Sequence, residues 1–425
     1  MEQTRDLDEV DFFTDPSLSA DPFPYYNHLR ARCPVHRQRL HDVALVTGFD
    51  EGVEVYCDPD HYSSVTAVNG PLPALPFTPQ GDDIDAQLEA HRRQLPMAGL
   101  LVTLDGADHA RLRSFVVRLF TPGRLRESEA RLITIADRLI DEFADTGAVE
   151  LVRGYGVPFA GLVIADLLGV PDEDRGWFRE MFGTRPRLDQ VDDRENYNPL
   201  AFLDEKFTDY MVDRRASPRG DILSEIANAT LSDGTRPTLD QVVVIATFLF
   251  GAGQDTSAKL LTSAVRILAE RPELQHRIRA DRSLIPDFIE ETLRFDGPVK
   301  TSSRLVRRTV RLGGVTLTAG THVALLNGAM NRDPGKFESP DEFRLGRPRV
   351  REHLAFGRGA HTCPGAQLAR NEVKISLERL LDRMGDIEIS EEHHGPAGAR
   401  RYRHEPGYVL GGIRRLNLRF KPVAR

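Results

Sequence analysis

Phe356-Gly357-Arg358-Gly359-Ala360-His361-Thr362-Cys363-Pro364-Gly365 is the stretch from which the rest of this 425-residue chain is read. Its glycines leave the backbone free to turn tightly and let something flat approach it closely. Pro364 suits a first helical position, because its missing N–H costs nothing there. Beyond it Ala366, Ala369, Val373, Leu377, Leu380 and Met384 recur at helical spacing. This reading places Cys363 at a helix N-terminus, where unpaired N–H groups and the helix dipole favour a thiolate.

A lone cysteine is ordinarily a small buried hydrophobe. Here the glycines, the helix start, Arg358 and His361 argue instead for a thiolate facing a large anionic ligand. Cys-x-x-Cys spacing is absent, so zinc and iron–sulfur sites find no second sulfur here. A single thiolate on iron is the remaining metal reading, and it points to haem. Phe356-Gly357-x-Gly359-x-His361-x-Cys363-x-Gly365 resembles the haem-binding loop of the cytochrome P-450 superfamily, the haem-thiolate monooxygenases. The resemblance implies a mostly α fold with a small β region: a large helical lobe and a smaller sheet-containing lobe around a buried heme b (iron protoporphyrin IX). It also implies Cys363 as the iron ligand, with Phe356 and His361 among the cofactor contacts.

Composition agrees with a globular enzyme. Hydrophobic residues make up 40% and charged residues 28%, and the formal net charge of -8 argues against a general nucleic-acid binder. Three cysteines, Cys33, Cys57 and Cys363, suit a reducing cytoplasm better than a disulfide framework. Residues 1–20 carry six acidic side chains and no apolar run long enough for a signal or a span. They read as an acidic tail before a single catalytic domain over 21–425, of the soluble bacterial type and cytoplasmic, without membrane attachment. Only a short stretch follows Cys363 and no second core precedes it, so no flavin or iron–sulfur domain is expected. Electrons are therefore expected from separate proteins, by resemblance a small acidic ferredoxin and its NAD(P)H-dependent reductase. Arg111, Arg113, Arg118, Arg358 and Arg370 are the expected docking face.

Thr238-Leu239-Asp240-Gln241 predicts a capping box opening a helix that runs to Glu270, roughly 45–50 Å long. Val242 to Phe250 is almost wholly apolar, which predicts a buried helix. Gly251 and Gly253 interrupt it, at about 1 kcal/mol each relative to alanine, and Gln254-Asp255-Thr256-Ser257 follows. Taken alone, this is a kink with a polar cluster bonded to its own backbone. Ala252-Gly253-Gln254-Asp255-Thr256 also resembles the oxygen-activation motif of the same superfamily. That implies a loosened turn where O2 sits, with Thr256 bonding the oxygen and Asp255 relaying protons as the catalytic pair.

Asp108-His109-Ala110-Arg111-Leu112-Arg113 opens a helix ending at Thr121-Pro122-Gly123. His109 and Arg113 share one side with Val116 and Phe120. On this helix alone they read as a capping histidine and a solvated arginine. The resemblance makes them, with Arg304, the residues that hold haem propionates, since buried carboxylates need cationic partners. Glu291 and Arg294 are three apart on a helix starting near Leu284. By resemblance they join Arg347 in a structural lock. Further helices are read at Leu125–Phe143, Val157–Leu168, Asp174–Phe182, Pro199–Ala216 and Asp221–Ala229. Strands are read at Val43–Thr47 and, as a meander, at Ser303–Val306, Val315–Leu317 and His322–Leu326. His393-His394 reads as a solvated pair.

The long irregular region over 58–107, with Pro406-Gly407-Tyr408-Val409-Leu410, resembles the cover and the intruding hairpin of the substrate pocket. Leu72–Leu101, Phe248, Val299, Val409 and Leu410 point to a hydrophobic small molecule (terpenoid, steroid, fatty acid or similar). The expected reaction is O2-dependent hydroxylation. The alternatives are a peroxide-driven peroxygenase, which by resemblance lacks the acid–alcohol pair, and a non-catalytic haem gas or redox sensor.

Overall fold

Apolar residues at helical spacing fill most of the chain, and helices are accordingly what most of it forms. The computed structural model describes residues 6–68, 70–71, 74–95, 97–184 and 200–423. Leu72 of the expected pocket and Pro199 of an expected helix lie outside them. In chain order the elements used below are α1 (Phe23–Arg32), β1 (Val35–Gln38), β2 (Val43–Val46), α2 (Phe49–Cys57) and β3 (Tyr62–Ser63). Next come α3 (Gly106–Val116), α4 (Pro122–Asp141), α5 (Val157–Leu168), α6 (Ala201–Ala216), α7 (Leu239–Ala269) and α8 (Ile285–Asp296). Last are β4 (Thr301–Val306), β5 (Val310–Leu312), β6 (Val315–Leu317), β7 (His322–Leu326) and α9 (Ala366–Arg383).

The smaller lobe is a five-stranded sheet in the order β1-β2-β7-β4-β3. β2 runs parallel to β7 with Val46 opposite Leu325, and β7 runs antiparallel to β4 with Ala324 opposite Ser303. All four residues of β2 are buried, as expected of a strand covered on both faces. The meander expectation needs correcting. β4 and β7 are neighbours in the main sheet, whereas β5 and β6 form a separate two-stranded hairpin. Gly313 and Gly314, both at positive φ, supply its two-residue turn and close it on itself.

α7 is the axis of the larger lobe. Thr238 caps it: the Gln241 N–H donates to Thr238 Oγ1 at 3.3 Å, and Gln241 Oε1 accepts from the Thr238 N–H at 2.9 Å. Its 31 residues span about 46 Å. α5, α6 and α9 pack around it, with Val242, Ala246, Phe250, Leu261, Val265 and Leu268 in the main apolar core. α5 is buried on nearly every residue because it lies inside the bundle. The segment read as an acidic tail contributes to the core as well. Val10, Phe12 and Phe13 are buried against Tyr25, Tyr26 and Leu29 of α1.

His394 corrects the reading of a solvated pair. It is buried, its Nε2 accepts from the Asn417 N–H at 2.9 Å, and its Nδ1 lies 3.2 Å from Arg401 O. A histidine that satisfies backbone from two distant segments looks polar and solvated until those segments are in place. Among the described residues, no helix is long and apolar enough to cross a membrane.

Candidate active site

The loop before α9 closes on itself. The Cys363 N–H donates to Phe356 O at 2.9 Å and the Gly357 N–H to Leu354 O at 3.0 Å. Gly357 and Gly359 adopt positive φ. At Gly359 a Cβ would stand 2.5 Å from Tyr56 O, so this glycine is required by the approach of α2 as well as by its own backbone angles. Pro364 does not begin the helix as expected. α9 starts at Ala366, with Gly365 flanking it.

Without a metal ion, the helix start does not by itself make Cys363 a thiolate. Burial pushes the Cys363 thiol up, against the Gly365 N–H and the charges of Arg113 and Arg370. Helix-terminal N–H groups are too weak here to offset desolvation. Ionisation needs a further positive charge at the sulfur, which a bound metal ion supplies.

Phe356 is held from outside the loop. The Arg370 guanidinium lies 4.7 Å from its ring centroid, and Arg370 donates to Glu290 at 2.6 and 3.0 Å. His353 Nε2 lies 3.1 Å from the same carboxylate. Burial works against that carboxylate, but His353 and Arg370 hold Glu290 down at about 2. This anchor was not read from the sequence; an acid next to the Glu291 motif was its only trace. Of the arginines expected at a docking face, Arg370 is bound to Glu290, Arg111 to Asp233 at 2.6 Å, and Arg113 to Thr362 O at 2.5 Å. Arg118 is exposed and Arg358 half-buried.

His109, Arg113, Arg304 and His361 do come together, although they arise from α3, β4 and the cysteine loop. The His109 and His361 rings are 3.9 Å apart. Arg304 is buried, sits 5.4 Å from the Tyr56 ring and donates to Ser303 O at 2.7 Å. Burial and the neighbouring Arg304, His109 and Arg113 push His361 down to about 3. Burial and Arg113 likewise push His109 down. The buried His109 Nε2 has no hydrogen-bond partner among the described residues. Two guanidiniums and two imidazoles facing one another, one with an orphaned nitrogen, fit a ligand carrying carboxylates. Haem propionates meet that demand beside Cys363.

Asp255 and Thr256 lie on α7, which continues without a break through Gly251 to Thr256. The loosened turn expected there is therefore absent. The glycines serve packing instead: a Cβ at Gly251 would stand 2.3 Å from Leu200 and one at Gly253 3.3 Å from Ile164 of α5. Thr256 Oγ1 donates to Ala252 O at 2.8 Å, the back-bonded state of a helical threonine. Asp255 Oδ1 accepts from Lys259 at 2.5 Å. An apolar recess next to α7 is lined by Leu100, Leu101, Leu112, Val116, Ile245 and Phe248. Val299 bridges to Leu410, which puts the C-terminal hairpin beside the strand carrying Arg304. Glu372 of α9 was missed by the sequence reading. It is buried, bonded to Ser257 and pushed up to about 8 by desolvation, so it carries its proton at neutral pH.

The Cytochrome P-450 family model matches residues 198–385. Among curated proteins, cytochrome P-450 144 of Mycobacterium tuberculosis is 35% identical over 389 residues, 89% of this chain and 86% of its own length. The chain belongs to the cytochrome P-450 family. Among solved structures, substrate-free cytochrome P-450 CYP150A6 of Mycobacterium marinum is similar at 52% identity and a TM-score of 0.92, covering 99% of this chain and all of that one. CYP109E1 of Bacillus megaterium in complex with corticosterone is 27% identical with a TM-score of 0.78, covering 95% of this chain and 99% of its own. As a cytochrome P-450, the protein is an oxidoreductase, a monooxygenase whose cofactor is heme b.

Proposed function

We propose that this cytochrome P-450 uses O2 and electrons from a ferredoxin and its reductase to hydroxylate a hydrophobic small molecule. The observation that carries the site assignment is the convergence of His109, Arg113, Arg304 and His361 beside Cys363, with the His109 nitrogen left orphaned. Cys363 holds the iron and the four cationic or imidazole groups hold the propionates. Phe356 packs under the loop and, through Arg370 and Glu290, keeps it in place. When bound, haem supplies the redox-active iron on which dioxygen is reduced.

The remaining steps belong to the chain. The Asp255 side chain is 36% exposed, so it exchanges protons with water while its other face meets buried Lys259. Thr256 holds a proton at Oγ1 and reaches into the distal space by rotating away from Ala252 O, a neutral hydrogen bond of about 1 kcal/mol net. The recess at Leu100, Leu101 and Phe248 presents apolar side chains, which is in keeping with a terpenoid, steroid, fatty acid or similar substrate.

The first test is the spectrum of the reduced, carbon-monoxide-bound protein. The thiolate-shifted Soret band is expected, and its absence in folded protein overturns the site assignment. Turnover with ferredoxin, reductase and NAD(P)H is expected to exceed turnover with hydrogen peroxide. The reverse makes the protein a peroxygenase. Corticosterone is a sensible first probe, because the related CYP109E1 structure holds it.

A further inference from the structure

Lys259 sits one turn beyond Asp255 on α7, is buried, and has no part in the steps above. Its Nζ lies 2.5 Å from Asp255 Oδ1 and 2.9 Å from Glu405 Oε2. An ammonium taken out of water must be paired, and here two carboxylates share one cation. Asp255 comes from the same helix, but Glu405 comes from the C-terminal hairpin. That hairpin is joined by backbone bonds to the segment before β4. The Glu405 N–H donates to Gly412 O at 2.9 Å, the Gly411 N–H to Pro298 O at 2.9 Å, and the Lys300 N–H to Val409 O at 2.9 Å. Gly412 leaves room for the lysine stem: a Cβ there would stand 3.0 Å from Lys259 Cγ.

We propose that Lys259 is a positioning residue that ties the Asp255 carboxylate to the hairpin bearing Val409 and Leu410, so that the pocket wall sets how tightly the proton-relay acid is held. The proposal rests on the reading of Asp255 as that relay and of Val409 and Leu410 as pocket wall. Glu405 competes with Asp255 for the ammonium. With Glu405 engaged, Asp255 is held by a shared charge; when the hairpin carries Glu405 away, the whole ammonium falls to Asp255. A hydrophobic ligand pressing on Val409 and Leu410 thus acts on proton delivery without touching Asp255. The charged groups facing Lys259 are Asp255 from its own helix and Glu405 from the hairpin. His404, next to Glu405, faces Asp296, Arg266 and Lys300 instead.

The test is the isotope-edited infrared spectrum of the Asp255 carboxylate in the haem-loaded protein at one fixed pH, its band assigned by loss in Asp255→Asn. Lys259→Met removes the ammonium that Asp255 and Glu405 share, and the Asp255 carboxylate stretch is expected to move from its parent position. Glu405→Gln removes the competing anion, and the band is expected to move the other way. Lys259→Arg is expected to keep it near the parent position. Opposite band shifts in the two neutralised variants support the tie, whereas an unchanged band or shifts of one sign overturn it. Should Lys259→Met fail to fold, the Glu405→Gln shift alone decides. Peroxide released per NADPH, with a plant-type ferredoxin and reductase as donors, reports separately on the relay. An Asp255→Asn protein unchanged in that ratio overturns the relay reading, whatever the infrared bands show.

Discussion

Replacing Glu291 by glutamine removes the one anion in a buried cluster of two guanidiniums. Arg294 donates to it twice at 2.7 Å, Arg347 through Nε at 3.0 and 3.1 Å, and the Arg344 N–H at 2.9 Å. The remaining donors are spent on carbonyls: Arg294 on Asn331, Pro340 and Glu342, and Arg347 on Glu338, Ser339 and Glu342. Glu291 is fully buried, and Arg294 and Arg347 are nearly so. Removing one partner of a buried pair costs about 3–5 kcal/mol, because the other charge stays desolvated. A glutamine adds a donor where donors already converge. Against a total stability of about 5–15 kcal/mol, this is about a fifth or more of what holds the fold.

Arg347→Met is milder, because Glu291 keeps the bidentate Arg294 and the Arg344 N–H. About 2–3 kcal/mol is expected from its lost charge-assisted bonds. The assay is urea unfolding followed by far-UV circular dichroism and haem absorbance on the same samples. The expected order of midpoints is parent, then Arg347→Met, then Glu291→Gln. A Glu291→Gln protein within about 0.5 kcal/mol of the parent would refute the claim that this cluster holds the fold through buried charge.

Glu372 gives a pH prediction of definite sign. Its folded value of about 8 lies above its ordinary 4.5, so over that window the unfolded chain releases a proton that the folded protein keeps. Stability falls as pH rises, by about 3 kcal/mol between pH 5 and 7 from this group; Glu372→Gln removes that slope in unfolding curves measured at both pH values. Gly359→Ala is expected to lose cofactor affinity at least tenfold, read as haem transfer to an acceptor apoprotein, since the left-handed backbone costs about 1–2 kcal/mol before the clash with Tyr56 O is added. His109→Phe with Arg113→Met, assayed the same way, is expected to release haem faster than either single change. Equal rates would deny these residues a part in holding the propionates. Glu for Arg118 is expected to slow reduction by a ferredoxin without altering ligand binding, and unchanged reduction kinetics would remove Arg118 from the docking face.

Much of this protein is legible along the chain, and the reason is local. The capping box at Thr238, the helix from Val157 to Leu168 and the glycine pattern before Cys363 depend on neighbours within a few residues, so their spacing alone reports them. What the sequence could not show depends on segments far apart in it. His394 looks solvated until Asn417 and Arg401 close over it. Gly251 and Gly253 look like a break in α7 until Leu200 and Ile164 are seen against them. Arg370 looks free for a partner until Glu290, 80 residues away, claims it. The balance at the metal-free Cys363 sulfur is another case. A helix start is visible in the sequence, but the desolvation that outweighs it is summed over residues brought in by the whole fold. Chemistry written in residue type and short spacing was determined by the sequence itself; burial, charge balance and the choice of partner were decided only when distant segments met, because desolvation and Coulomb energies depend on distance in space.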